Sequence, residues 1–366
     1  MHEEIAPASP VSTGDTRLDG LTVGVAAISF GGGGAERQAA LWGHAVESRG
    51  ARVLMLSLEE TKGGYPLPAS AGLLTVGKER PLDALKAVRH LRKLSRATDV
   101  ILAFQPYMGL LCALAGARNV IIVTGQDPRF FGDTSRVPTS LLRAAFARTR
   151  AAAAPSAGLV ECYRERGFEP SGPWLHVPNI VDEGATAATG DRSGVLFVGR
   201  LVAEKQPAMA LRAATDAGLS ISFLGTGPLL DDLRDEARRR GVESRVRFLG
   251  FDPQPWRHYA RHRALVVTSR YETFANVIVE ALASGTPVVS VDCDFGPREI
   301  LHDARFSRLV PTDESALSHA LAAMASNPLT DEETAECLSI ARRYRRAALE
   351  PSIARAVLAG MPKRRR

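Results

Sequence analysis

The segment from Ala264 to Val291 constrains the fold most, because it predicts a strand, a helix and a second strand in direct succession. Residues 264–268 form a short apolar run rich in β-branched side chains, which is typical of a buried strand. The predicted helix ends just before Gly285, and the second strand starts at Pro287. Helical segments also alternate with apolar runs at 21–28, 51–58, 73–76, 100–104 and 120–124. This alternation predicts an α/β chain with parallel sheets covered on both faces.

Two glutamates flank the predicted start of that helix. Glu272 precedes the helix in a loop, and Glu280 lies about two turns into it. The free N–H groups between Phe274 and Val277 favour an anion, because they carry the positive end of the helix dipole. Carboxylates beside a bound phosphate can accept hydrogen bonds from the hydroxyls of a sugar or a ribose. The same spacing also fits a capped helix with one exposed and one half-buried glutamate.

This stretch resembles the signature of the retaining glycosyltransferases of family 4. Glu272 is followed after seven residues by Glu280, and then by Ala-Leu-Ala-Ser-Gly-Thr-Pro-Val-Val. The resemblance implies the GT-B fold, with two Rossmann-like parallel-sheet domains facing a central cleft. It also implies that Glu272 contacts the transferred sugar, that Glu280 contacts the nucleotide ribose, and that Asn276 and Val277 at the helix start face the diphosphate.

A chain of 366 residues exceeds one typical core, so two domains are predicted. The family's first domain ends in a segment similar to Val177–Asp182, and a polar, apolar-poor linker follows it. We expect Pro351 to break the chain before a last helix that crosses back to the first domain. The predicted parts are a disordered arm at 1–20, an acceptor-side domain at 21–183, a nucleotide-sugar domain at 184–349, the last helix at about 350–360 and a basic tail at 361–366.

Composition narrows the class of protein. No run of about 18 apolar residues occurs, so no membrane-spanning helix is predicted. The four cysteines have no paired spacing, which favours reduced thiols, a cytoplasmic protein and no zinc site. A net charge of +6 suggests an anionic partner. We expect that partner to be an acceptor or the inner face of a membrane, and not a nucleic acid.

A second candidate site begins after the first predicted strand, at Gly-Gly-Gly-Gly-Ala-Glu-Arg. A glycine loop between a strand and a helix lets backbone N–H groups approach a phosphate. Its spacing differs from the dinucleotide fingerprint and from the P-loop. It resembles the family's N-terminal loop, which implies that Gly32, Gly33 and Gly34 face the donor phosphates. A flexible tight turn is the alternative.

The third candidate site is Gly-Arg-Leu-Val-Ala-Glu-Lys at 199–205. Arg200 and Lys205 lie five residues apart at a predicted strand-to-helix junction, where two cations suit a diphosphate. The family carries a similar Gly-Arg-Leu-x-x-Glu-Lys signature, in which both cations hold the donor. The loops after the strands near 221–228 and 246–252 resemble those that surround the nucleobase, so Phe251 is a candidate base contact.

The acceptor side is predicted at Thr-Gly-Gln-Asp-Pro-Arg, residues 124–129. It follows a predicted strand, and ligands of parallel sheets bind beyond the carboxyl ends of strands. Many relatives have a histidine near here, whereas this chain has Gln126 and Asp127, followed by Arg129. The stretch is similar to an Asn-Asp-Pro variant found in transferases for polysaccharide or lipid-linked acceptors.

Two further features suggest other chemistry. Asp292 and Asp294 resemble the metal-binding D-x-D of a different transferase class, although GT-B chemistry needs no metal, so we predict no metal site. Residues 78–96 carry seven basic and two acidic residues. The predicted helix there places Lys86, Arg89, Lys93 and Arg96 on one face. Such a helix either lies on anionic lipid or forms an ordinary solvated surface.

Taken together, these signatures imply a retaining glycosyltransferase of hexosyl or N-acetylhexosaminyl type that uses a UDP-sugar and no required cofactor. Arg200, Lys205 and Glu272 would then act in catalysis. The acceptor would be a hydroxyl in polysaccharide, glycolipid or natural-product glycoside synthesis, lipid-linked or otherwise anionic. One alternative is a non-catalytic sugar-nucleotide binder or partner subunit. Another is a Rossmann dehydrogenase with Glu59 or Glu60 as its ribose ligand, but the glycine spacing and Arg200 disfavour it.

Overall fold

The computed structural model describes residues 16–31, 33–60, 64–69, 71–77, 83–132, 137–181, 192–252, 254–325 and 329–362. The candidate residue Gly32 lies outside this description, as do residues 1–15 of the predicted arm, nearly all of the predicted linker, Lys78 to Arg80 and the last four residues of the basic tail.

Fifteen strands and thirteen α-helices alternate along the described chain. The strands are β1 Thr22–Ala27, β2 Arg52–Ser57, β3 Gly72–Thr75, β4 Val100–Phe104, β5 Val120–Val123, β6 Ala151–Ala154, β7 Trp174–His176, β8 Val195–Val198, β9 Ile221–Leu224, β10 Val246–Gly250, β11 Ala264–Val267, β12 Tyr271–Glu272, β13 Val288–Val291, β14 Asp294–Phe295 and β15 Arg308–Val310. The helices are α1 Gly34–Ser48, α2 Asp83–Ala97, α3 Pro106–Leu114, α4 Thr139–Ala147, α5 Ala157–Glu165, α6 Pro207–Asp216, α7 Leu230–Arg239, α8 Trp256–Tyr259, α9 Asn276–Ala283, α10 Gly296–Leu301, α11 Glu314–Ala325, α12 Asp331–Arg342 and α13 Arg346–Ala359. None of the described helices is long and apolar enough to cross a bilayer.

The strands form two separate parallel sheets. The first has seven strands in the order β3-β2-β1-β4-β5-β6-β7, and the second has six in the order β10-β9-β8-β11-β13-β15. All recorded strand pairs are parallel, including the small pair of β12 with β14. Two parallel α/β sheets confirm the predicted fold class.

The first sheet is covered on both faces. On one face, Val25 and Phe104 pack with Trp42 of α1 and Ile353 of α13. The opposite face packs against the helices α2 to α5. Because parallel strands bury both faces, this arrangement explains why β4 and β6 are apolar along their whole length.

Three predictions about the ends of the first domain need correction. Leu18, in the predicted disordered arm, is buried in the core beneath α1 and α13. The last helix starts at Arg346, not near 350, and Leu349 already packs in the first-domain core. Pro351 does not break the chain but lies inside α13. Packing of Leu349 and Ile353 on the first domain outweighs the helix-breaking tendency of this proline.

Candidate active site

Glu272 and the start of α9 are positioned by a short parallel strand pair. In that pair Glu272 lies beside Phe295. The chain then turns at Ala275, whose positive φ of 68° is rare for a residue with a Cβ, and α9 begins at Asn276. Glu280 is therefore the fifth residue of the helix, one turn in and not two as predicted. The helix start and both glutamates lie together at the carboxyl end of β11.

The Glu272 carboxylate is held by two groups from the second domain. Lys205 Nζ lies 2.5 Å from Glu272 Oε1, and Ser269 Oγ donates a hydrogen bond of 2.7 Å to the same oxygen. Lys205 ends a 3₁₀ turn at Ala203–Lys205, and the next residue, Gln206, has a left-handed backbone. The structure thus brings together two predicted site residues that are 67 positions apart in the chain.

Arg200 follows β8 and Gly199, and its side chain is exposed. The loop that carries it packs on the glycines after β9. A Cβ on Gly225 would collide with the carbonyl oxygen of Gly199, and Leu201 N donates to Thr226 O over 2.9 Å. The Gly-Thr-Gly segment therefore lets two backbone loops approach closely beneath Arg200.

Glu280 makes contacts in both domains. Tyr259 Oη donates to Glu280 Oε2 over 2.9 Å, and Arg37 Nη1 lies 3.0 Å from Oε1. Tyr259 is buried, and burial together with the Glu280 carboxylate raises the pKa of its hydroxyl well above 10.0, so the hydroxyl remains a donor. Arg37 belongs to α1 of the first domain. Our sequence reasoning missed it, although it is the last residue of the Gly-Gly-Gly-Gly-Ala-Glu-Arg loop.

The glycine loop faces the start of α9 across the domain boundary. Gly33 precedes α1 in an extended conformation, and Gly34 is its first residue. A Cβ on Gly34 would lie 3.8 Å from Asn276 Nδ2. Beside it, Asn179 Nδ2 donates to Asn276 Oδ1 over 3.0 Å. The two predicted phosphate-binding segments are therefore neighbours, one from each domain.

A cavity of about 160 Å³ lies at this junction. The first domain contributes most of its wall, and the second contributes the turn before α9 and the first residue of that helix. Its lining includes Gly34, Trp42, Gln105, Thr124, Thr273 and Asn276. Gln105 is held with φ of 78° at the end of β4, directly before α3. The cavity therefore opens at the carboxyl ends of first-sheet strands, where ligands of parallel sheets bind.

The predicted acceptor residues form part of an ion-paired bridge between the domains. Asp127 caps the turn at Pro128–Phe130 through Arg129 N and binds the Arg129 guanidinium at 2.9 and 2.6 Å. Arg129 Nη1 lies 2.5 Å from Asp294 Oδ2 in the second domain. The hydrogen bonds to the Asp127 carboxylate raise the pKa of Arg129 above its ordinary value. Gln126 remains an exposed side chain, whereas Asp127 is buried.

The two aspartates of the D-x-D alternative each have an arginine partner. Asp294 binds Arg129, and Asp292 binds Arg298 through two hydrogen bonds of 3.0 and 2.5 Å. Over the described ranges, no group of three or more His, Cys, Asp or Glu side chains converges as a metal site would require. The geometry of these carboxylates is that of ion pairs.

Phe251, the candidate base contact, follows β10 and is exposed. Next to it, Asp252 Oδ2 lies 2.8 Å from His258 Nε2, and Asp252 Oδ1 accepts a hydrogen bond from Gln254 N. The hydrogen bonds from Gln254 and His258 lower the pKa of Asp252. An exposed ring beside this ordered turn can stack on a planar ligand.

Comparison with solved structures decides the fold family. The HepE protein of Anabaena, solved in complex with UDP and glucose, superposes with a TM-score of 0.74 over 92% of this chain and 98% of its own, at 18% identity. The lipopolysaccharide outer core galactosyltransferase WaaB gives 0.68 with the same coverage and identity. Both are GT-B glycosyltransferases. This chain has the GT-B fold.

The second domain of this GT-B chain matches a family model. Residues 182–343 match the family model named Glycosyl transferases group 1. A Campylobacter jejuni enzyme, N-acetylgalactosamine-N,N'-diacetylbacillosaminyl-diphospho-undecaprenol 4-alpha-N-acetylgalactosaminyltransferase, is 35% identical over 133 residues, which is 36% of each chain. A Streptomyces coelicolor exopolysaccharide phosphotransferase is 27% identical over 290 residues, 73% of this chain and 29% of that protein. The alignments thus span about a third of each of these relatives.

Backbone strain in this GT-B chain gathers at the junction of its domains. Among the described residues other than glycine, positive φ occurs at Gln105, Gln206, Ala275 and Phe295. Gln105 lines the cavity, Gln206 follows Lys205, Ala275 precedes α9, and Phe295 follows Asp294. Such conformations cost about 1–3 kcal/mol each and cluster at functional sites. The position of these four residues supports the assignment of the domain junction as the candidate active site.

Proposed function

We propose that this protein is a retaining glycosyltransferase that moves a sugar from a UDP-sugar to a hydroxyl acceptor. The observation that carries the proposal is the convergence of Lys205, Glu272 and the start of α9, with Glu280 one turn further on. A cation, a helix N-terminus and two carboxylates suit a ligand that has a diphosphate between two hydroxyl-bearing rings.

The chemical demand is to stabilise the leaving group. The bond between sugar C1 and the diphosphate oxygen breaks, and negative charge grows on the diphosphate. Arg200, Lys205 and the N–H groups of Asn276 and Val277 would hold that charge with fixed donors. The acceptor oxygen bonds to C1 from the same face, and its proton passes to a diphosphate oxygen.

The two glutamates would then have different partners. Lys205 neutralises Glu272 in the free protein, so a bound diphosphate shares Lys205 and leaves Glu272 to accept hydrogen bonds from the sugar. Glu280 would accept from the ribose while Tyr259 continues to donate to it. Phe251 would lie against the base.

The comparisons support the donor and acceptor classes of this proposal. HepE was solved with UDP and with UDP-glucose. Relatives are named for an undecaprenol-linked acceptor, for lipopolysaccharide and for phosphatidyl-myo-inositol. We therefore propose a saccharide acceptor that is lipid-linked or otherwise anionic, and a protein that works at the membrane surface.

The test is binding followed by turnover. A thermal-shift panel of UDP-, GDP- and ADP-sugars should show stabilisation by UDP-sugars, about 2.7 kcal/mol at 100 times the dissociation constant. Radiolabelled donor should then be converted to product, and NMR of the product should show the donor's anomeric configuration. EDTA should leave the rate unchanged. Lys205→Gln should be inactive, while the exposed Arg234→Gln control on α7 keeps the wild-type rate.

Three outcomes would contradict parts of this proposal. Stabilisation without turnover for any acceptor would favour the non-catalytic sugar-nucleotide binder. An inverted product would refute retention. Loss of activity in EDTA that manganese restores would reopen the Asp292 and Asp294 pair as a metal site.

A further inference from the structure

One face of the first domain is formed by three adjacent helices, α2, α3 and α4. They pack on the side of the sheet opposite α1 and α13, through Leu91 of α2, Leu111 of α3 and Phe146 of α4. These inner side chains anchor the helices to the sheet. Their outer side chains form one continuous surface, which we call the α2–α4 face.

The α2–α4 face is strongly basic. Exposed cations on α2 are Lys86, Arg89, Arg92, Lys93 and Arg96. Arg118 follows α3, Arg143 lies on α4, and Arg148 directly follows α4; these three are also exposed. The three helices contain one acidic residue, Asp83. Arg92 and Arg143 are anchored through Nε to the carbonyl oxygens of Ala115 and Arg166. Across the described chain, no ion pair involves Arg89, Lys93 or Arg96, so their charge is open to a partner.

Leucines lie among these cations. Leu74, Leu85, Leu114 and Leu141 are 40% to 65% exposed. Leu74 is on the edge strand β3, in register with Leu56, which packs in the same cluster as α2. These four make up half of the eight large apolar side chains that are exposed in the described chain. Exposed apolar and basic side chains together distinguish this face from a solvated surface, where salt-bridged charges of both signs are the rule.

We propose that the α2–α4 face docks on an anionic lipid bilayer. Leucines can enter the boundary between headgroups and acyl chains, while long basic side chains reach the lipid phosphates. A nucleic acid would use the cations but would gain little from the leucines. Each basic residue near an anionic membrane contributes about fivefold in binding. The α3 helix begins directly after Gln105, so the docked face would adjoin the cavity between the domains. The proposal holds whatever reaction the cleft performs.

The experiment is vesicle flotation of the full chain. Vesicles of phosphatidylcholine alone are compared with vesicles that also contain phosphatidylglycerol, at about 0.1 M and about 1 M salt, where the Debye length falls from about 10 to about 3 Å. We expect binding only to the anionic vesicles, weakened by salt. Changing Lys86, Arg89, Lys93 and Arg96 to glutamine should reduce binding about 100-fold or more.

Three matched variants separate the contributions. Glutamine at Arg234, Arg238, Arg239 and Arg240 in or after α7 removes the same charge from the second domain and should leave binding unchanged. Arg89→Lys with Arg96→Lys keeps the charge and should bind like wild type. Leu85→Ser with Leu141→Ser should weaken binding even at low salt. All these positions are exposed, so wild-type melting temperatures should show that the variants fold.

Several results would overturn the proposal. They are binding that ignores lipid charge, wild-type binding by the α2 glutamine variant, and equal loss in the α7 variant. Retention on RNA with no binding to vesicles would assign the face to a nucleic acid. Full binding by the double-leucine variant would indicate that the α2–α4 face binds polyanions in general, and it would refute docking on a bilayer.

Discussion

Substitution of Glu280 by glutamine is the sharpest perturbation of the candidate donor site. The side chain is 14% exposed and accepts from Tyr259 in its own domain and Arg37 in the other. Glutamine keeps the shape and one acceptor oxygen, so the buried Tyr259 hydroxyl can keep its partner. Alanine would leave that hydroxyl unsatisfied, at about 1–3 kcal/mol. The glutamine variant therefore tests ligand binding with little change in the fold.

The expected loss follows from the hydrogen bonds that a carboxylate makes to a ribose. A hydrogen bond to a charged group contributes about 1.5–3 kcal/mol. Glutamine replaces one charged acceptor by an N–H donor and the other by a neutral carbonyl. We expect Glu280→Gln to weaken UDP binding by about 2–3 kcal/mol, or roughly 30- to 150-fold in Kd. Glu272→Gln should change UDP affinity less than about threefold but abolish most turnover.

The assay is a double-mutant cycle by calorimetry. Wild type and Glu280→Gln are each titrated with UDP and with 2′,3′-dideoxy-UDP. If Glu280 binds the ribose hydroxyls, the wild type should bind the dideoxy nucleotide more weakly than UDP. The variant should bind the two nucleotides with similar affinity. The coupling energy should then approach the full 2–3 kcal/mol. Additive losses, or equal UDP affinity in both proteins, would refute the ribose assignment and leave Glu280 as a structural partner of Arg37 and Tyr259.

Three further predictions concern charge and pH. Lys205→Gln should slow turnover by two or more orders of magnitude, because one donor to the developing charge contributes about 3–4 kcal/mol; near-wild-type initial rates would move the diphosphate site elsewhere. Arg129→Gln should destabilise the fold by about 3–5 kcal/mol, because it leaves the buried Asp127 unpaired, whereas Asp294→Asn at a carboxylate 58% exposed should cost below about 1 kcal/mol; equal denaturation midpoints would contradict this. Burial lowers the pKa of His262 below its ordinary 6.5, so the unfolded chain gains a proton first and stability falls as pH drops through 6.5. His262→Gln should lose less stability over that range, as urea unfolding at several pH values can measure.

Much of the fold is encoded locally. The apolar runs predicted as strands at 100–104 and 120–124 correspond to β4 and β5, with ends that agree within one residue. Such runs can be recognised in the sequence because a strand buried on both faces is apolar at every position. The sequence also predicts that a helix starts between Phe274 and Val277, and α9 begins at Asn276, within that range.

The contacts between the domains were not predictable from local pattern. Arg37 with Glu280 and Arg129 with Asp294 join residues 243 and 165 positions apart. Local sequence propensities do not predict which arginine will form an ion pair with a given carboxylate of the other domain. Arg129 was expected to bind an acceptor, but Asp127 and Asp294 already hold its guanidinium. The boundary of α13 was missed for a related reason, since packing on the first domain carries the helix through Pro351.

The strained residues explain why the sequence predicts a candidate site but not its geometry. Four residues adopt the positive φ that glycine favours, although none of them is glycine: Gln105, Gln206, Ala275 and Phe295. Their residue types therefore do not predict these turns. Each conformation opposes folding and persists only where the surrounding packing determines it. The buried cores beneath β4, β11 and β13 supply that packing. The turns at these residues determine the positions of Lys205, Asn276 and Asp294. A site built this way is preorganised, because the strain is balanced when the chain folds and not when the ligand arrives.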